Sequence, residues 1–184
     1  MNSVISPQAK DGIDYIFAKA AKASLVNDQN DECSIHVLPG GKSDQFQEKD
    51  LVILTISSFL FKVMTIFHVG EDQATRNYFL KKTVNQSKTF SEVFSEVGNL
   101  CSGKMNHELL RYFPHLGMST PYMLSSRCLP FLSELKLGHV SRHDIKINGT
   151  AHLQATICMC GYAPVDFTVD KTEVIEETGE LELF

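Results

Sequence analysis

The chain has 184 residues, 43% of them hydrophobic and 21% charged, and a net charge of −5. That suffices for one domain with a substantial core, and the acidity argues against general nucleic-acid binding, which needs clustered Lys and Arg to neutralise phosphates. The longest apolar stretch, Leu51 to Val69, is interrupted by Ser57, Ser58 and Lys62, too soon for a membrane span. The opening MNSVISPQAKDG lacks the charged region and apolar run of an export signal, so a cytoplasmic protein is expected.

In chain order, Gln8 to Val26 carries Ile13, Ile16, Phe17, Ala20, Ala21 and Leu25 at helical spacing on one face. Asn27 to Asp31 reads as a turn and Cys33 to Leu38 as a strand. Pro39-Gly40-Gly41-Lys42-Ser43 is a loop that lacks phosphate-loop spacing, so no nucleotide site is expected. Leu51 to Ser57 and Phe61 to Val69, rich in Val, Ile, Phe and Thr, predict neighbouring antiparallel strands. Glu71 to Lys82 predicts a short helix, acidic at its start and basic at its end as the helix dipole favours.

Ser87 to Arg111 is the longest helical pattern, closed by Pro114. Tyr122 to Ser126 predicts a short strand, and Leu129 to Leu137 reads equally as helix or strand. His143 to Ile147 and Ala151 to Met159 flank Asn148-Gly149, a strong hairpin signal. Ala163 to Val169 is a candidate last strand. Residues 1–172 thus read as one α+β (mixed α/β) domain, and 173–184 as an acidic tail. Five cysteines form an odd set with no export signal, which argues against disulfides; Cys158 and Cys160 share one strand face as packed thiols.

On a wheel, the long helix places Phe90, Phe94, Val97, Cys101 and Met105 on a core face, with Val93 and Leu100 flanking. Glu92, Glu96, Asn99 and Gly103 fall on the opposite side. A solvated face accounts for these four by spacing alone. Two choices argue for more: Asn is a poor interior helix residue, and Gly costs about 1 kcal/mol relative to Ala. A bare backbone at Gly103, with the small Ser102 beside it, would let a partner come close.

The stretch "EVGNLCSGKMNHELL", with Glu96-Val97-Gly98-Asn99 followed after 21 residues by Pro121, resembles the signature of the CheC/CheX/FliY family of chemotaxis phosphatases. The resemblance extends more weakly over the strands on both sides. It implies a CheC/CheX-like fold, with one antiparallel-rich sheet packed against two long helices. The family's two-site members repeat Glu-x-x-Asn on the first helix. Here that helix reads "DGIDYIFAKAAKASLV", without the motif, so the single-motif CheX-like arrangement is implied. One departure is Glu92, where the family often has Asp or Ser.

The family activity is hydrolysis of the aspartyl phosphate on a response-regulator receiver domain. The resemblance implies Glu96 and Asn99 as catalytic residues. Asn99 would hold the attacking water, and Glu96 would pair with the receiver's active-site lysine. Glu92, Ser102, Gly103 and Pro121 would belong to the partner-binding surface, with Pro121 shaping the chain near the site. No cofactor is expected on this chain, because Mg²⁺ would come with the receiver. A homodimer is the implied assembly. A receiver-binding module without hydrolysis, or a structural dimerisation module, remains open as an alternative.

Other constellations are weaker. His139-x-x-x-His143 would suit metal ligands on a helix, but Gly138 and the strand-like run beyond it point to a loop. His107 fits a histidine near the negative end of the helix dipole. No paired-carboxylate, Cys/His or Gly-x-Ser-x-Gly pattern appears.

Overall fold

Two apolar hairpins form the middle of a single antiparallel sheet. The computed structural model describes residues 4–39, 50–70, 72–81 and 88–172. Within these, β1 (Cys33–Leu38), β2 (Asp50–Ser57), β3 (Phe61–Val69), β4 (Gly117–Met118), β5 (Tyr122–Ser125), β6 (His139–Ile147) and β7 (Ala151–Gly161) join in the order β1-β6-β7-β3-β2, with β4 and β5 both on β2. β2 and β3 pair as a hairpin, Ile53 opposite Ile66, and β7 completes the centre, Ile157 opposite Thr65. The β6–β7 turn has both Asn148 and Gly149 at positive φ, the conformation these two residues adopt most readily.

Side chains alternate across the sheet, and the two faces have different covers. Val52, Leu54, Ile56, Val63, Phe67, Ile145, Leu153 and Ile157 belong to one buried cluster with the apolar stripes of α1 (Pro7–Leu25) and α3 (Phe90–Leu110). α1 begins where it should: the Ser6 hydroxyl accepts from Ala9 N at 3.1 Å, and Pro7 takes a first-turn position that needs no amide donor. Lys19 on α1 meets Glu108 on α3 at 3.0 Å across the two helices. α2 (Gln73–Leu80), capped by Asp72, drives Phe79 against Phe90 and Phe94.

On the opposite face Leu51, Ile53, Ile66 and Cys158 form a smaller cluster under Cys128, Leu129 and Leu132 of a 3₁₀ segment, Ser126–Glu134. Pro130 lies inside that segment and cannot donate a backbone bond, so the stretch that read as helix or strand becomes neither an α-helix nor a strand.

Several sequence expectations change here. Ala163 to Val169 forms no strand; its backbone pairs only through one parallel bridge between Val165 and Ile5, while the buried Phe167 ring packs on Tyr112 and Phe113 beyond α3. β4 was not anticipated. β6 starts at His139, four residues before the expected start at His143, so His139 lies on the strand rather than in a loop. The loop Gly40 to Ser43, Glu71, Lys82, Ser87 and the tail from 173 lie outside the described residues. Among the described residues, no helix is long and apolar enough to cross a membrane.

Candidate functional site

α3 carries the motif, and its start is firmly fixed. Thr89 is the N-cap: its hydroxyl accepts from Glu92 N at 3.3 Å, while Glu92 Oε2 accepts from Thr89 N at 2.7 Å and from the Thr89 hydroxyl at 2.8 Å. This reciprocal clasp satisfies two amides that the first turn would otherwise leave unpaired. Those bonds, the Thr89 amide first, also hold the Glu92 carboxyl below its ordinary pKa. The Glu92 side chain is therefore engaged in starting the helix, which explains the longer carboxylate at this position. It is exposed, but it is not a free docking group.

The buried side of α3 comprises Phe90, Val93, Phe94, Gly98, Cys101, Ser102, Met105 and Leu109. It is rotated from the expected face. Gly98 is buried, and a Cβ there would stand 3.2 Å from Leu54 Cδ1 and 3.6 Å from Phe67. The missing side chain lets α3 settle onto β2 and β3 at this turn. Leu100, expected to flank the core, is 59% exposed instead. Ser102 is turned inward and only 1% exposed, so it does not belong to a partner-binding surface as expected.

The outer side keeps Glu96, Asn99 and Gly103 together, with Leu100 added. Glu96 and Asn99 are exposed, and a Cβ built on Gly103 would meet nothing within 4 Å. Glu96 Oε1 accepts from Lys88 Nζ at 2.6 Å. Among the described residues, no hydrogen bond ties the Asn99 amide, so its oxygen and NH₂ both face solvent. Pro121 lies between β4 and β5, the two short strands that pair with β2. The residue after it, Tyr122, pairs with Ile53, and Ser119, two before it, bonds Thr55. Pro121 thus immediately precedes the edge strand β5, one residue before the Tyr122–Ile53 pair.

A second polar group lies inside the molecule. Asp14 on α1 accepts from His139 Nε2 at 3.0 Å and, through a very short bond, from the Ser141 hydroxyl; His143 Nε2 lies 3.7 Å away. Burial opposes the Asp14 charge, but the bonds from His139, His143 and Ser141 prevail and hold its carboxyl well below the usual range. These histidines tie α1 to β6. Among the described residues, no group of three His, Cys, Asp or Glu is arranged to hold a metal ion. His107 is exposed in the last turns of α3.

Comparison with known proteins gives one answer. A CheX from Vibrio vulnificus superposes with a TM-score of 0.57 at 13% identity, covering 80% of this chain and 99% of that one. The CheX–CheY–BeF3–Mg²⁺ complex from Borrelia burgdorferi gives 0.57 at 15%, with 80% and 97% covered. The fold is CheX-like. The Thermotoga maritima FliY structure, at a TM-score of 0.52 and 12% identity, extends the likeness over 83% and 90% of the two chains. No protein-family model matches the sequence. No curated protein matches it either. The fold that "EVGN" and its context implied is the fold the chain has.

Proposed function

We propose that the CheX-like chain docks a CheY-like receiver domain on the outer side of α3 and hydrolyses its aspartyl phosphate. The observation that carries this reading is the Asn99 amide. It is exposed on a rigid helix, untied to any described residue, one turn from a carboxylate and beside a bare glycine. A CheX-like structural neighbour crystallised with CheY and Mg²⁺ supports the choice of partner.

The chemistry asked of this chain is small. A receiver brings the phosphoryl group and Mg²⁺, which neutralises charge on the transferring oxygens. What remains is to place a water in line with phosphorus. The Asn99 carbonyl oxygen accepts a hydrogen from that water, while its NH₂ donates to a phosphoryl oxygen, so catalysis proceeds by positioning. A hundredfold gain needs about 2.7 kcal/mol, within reach of one or two well-aimed hydrogen bonds. Glu96 supplies registration by pairing with the receiver's lysine. Gly103 leaves room for the partner's backbone, and Pro121 stiffens the neighbouring edge. On this reading the protein works in the cytoplasm, in chemotaxis signalling, and as a homodimer, which sizing in solution tests.

The test is a screen of phosphorylated receivers from the same cell, with phosphate loss followed over time. Asn99→Ala is expected to abolish the stimulated loss while receiver affinity stays within about twofold, a change of only ~0.4 kcal/mol. Glu96→Ala is expected to weaken both. Wild-type activity in Asn99→Ala would overturn the mechanism. Binding without hydrolysis by the wild type would select the non-catalytic receiver-binding module instead.

A further inference from the structure

Of the two side chains assigned to the docking face, one is already occupied. Lys88 Nζ lies 2.6 Å from Glu96 Oε1, with the two side chains 39% and 59% exposed. Lys88 immediately precedes Thr89, whose amide and hydroxyl are both fixed on Glu92. The N-cap clasp therefore has two effects. It anchors the backbone from which Lys88 reaches, and it engages the Glu92 carboxylate. Glu96, one turn further on, is the carboxylate that takes the ammonium. Asn99, the next turn again, carries no such tie.

We propose that Lys88 is a built-in competitor for the docking carboxylate: its ammonium holds Glu96 in the free chain and yields it to a cation presented by the receiver. This rests on the reading of the α3 outer side as a receiver-docking surface. The physical consequence is an exchange of partners. A docking receiver swaps one exposed ammonium for another at Glu96, and the two pairings nearly cancel. The affinity gained at Glu96 is only their difference, so Lys88 weakens docking while leaving the water-positioning step at Asn99 untouched. It also guards specificity, since a surface without a well-placed cation cannot displace Lys88.

The test uses the full chain as wild type, Lys88→Met, Lys88→Gln, Glu96→Gln and the double variant Lys88→Met/Glu96→Gln. Each is titrated against a panel of receiver domains held with BeF3 and Mg²⁺, at low and high salt, after thermal melts confirm that each variant is folded. Removing the Lys88 charge is expected to tighten binding by about twofold to fivefold, the upper range of an exposed ion pair. The gain shrinks at high salt, which screens exposed charges. It vanishes when Glu96→Gln is already present. Unchanged or weaker binding in both Lys88 variants overturns the proposal, as does equal tightening in the Glu96→Gln background, which would mean simple repulsion. If Glu96→Gln weakens binding while Lys88→Met does nothing, this proposal falls and the docking surface stands. If no receiver binds any variant, both fall together.

Discussion

Gly103→Ala separates stability from function at the proposed site. Gly103 lies inside α3, well away from either end, and its missing Cβ faces open space. Glycine there costs about 1 kcal/mol relative to alanine, through backbone freedom lost on folding. Nothing in the packing offsets the gain, so the variant is expected to be more stable by about 1 kcal/mol. For a domain of this size that raises the melting temperature by roughly 2–4 °C. Gly98→Ala is the control, five residues earlier on the same helix. It has the same propensity gain, but its methyl would stand 3.2 Å from Leu54 Cδ1, closer than ordinary contact. Leu54 or the helix must give by a few tenths of an ångström, and the expected result is no gain or a net loss. Calorimetric or circular-dichroism melts, with urea titrations at unchanged slope, measure both. A Gly103→Ala that fails to stabilise, or a Gly98→Ala that stabilises as much, would refute this assignment of the two glycines. If the proposed docking is right, Gly103→Ala is also the weaker receiver binder, because its methyl occupies the partner's approach.

Two further predictions concern the interior. Asp14→Asn removes a charge that accepts from Ser141 and His139 beside His143, and is expected to cost about 1–3 kcal/mol in urea unfolding. Burial, with the charge of Arg142 adding, pushes the buried His68 down to about 4, against about 6.5 in the unfolded chain. The unfolded state therefore binds the extra proton first. Stability is full above pH ~6.5 and falls toward pH ~4, by at most roughly 3 kcal/mol. Asp14 is depressed below its ordinary value, so its contribution is lost only as pH falls below ~4. His68→Gln should flatten the upper limb alone; an unchanged profile between pH ~4 and ~6.5 would sink the assignment.

What the sequence made legible was local. β2, β3 and the β6–β7 hairpin announce themselves through β-branched runs and Asn148-Gly149, and α1 through its apolar period. What it hid depends on contacts distant in sequence. β6 turns the half-buried His139 and the buried Ser141 and His143 to its inward side, so its start looks too polar for a strand until Asp14, 125 residues before His139, is seen to accept from it. Ala163 to Val169 has strand-like composition but no paired edge to join, and its partners are Ile5, the first turns of α1, and Tyr112 and Phe113 beyond α3.

The motif itself shows the same division. Glu96 and Asn99 were readable as an outward pair, because spacings of three and four on a helix fix their relation whatever surrounds it. The rotation of the helix against its neighbours is not readable from the wheel, and Gly98 lies within the buried arc. A wheel scores glycine as neither core nor surface, so the apolar stripe appeared centred on Phe90, Phe94, Val97 and Cys101. The Leu54 and Phe67 side chains accept a bare backbone, which pulls the buried arc toward Gly98 and Ser102 and pushes Leu100 out. The glycine before the motif asparagine thus has a packing reason: a larger residue would press on Leu54 and Phe67 beneath the turn that carries Asn99. On the proposed mechanism the amide places a water, and that placement depends on how closely this helix turn rests on its sheet. The residue that points into the core thereby helps set where the outward one can act.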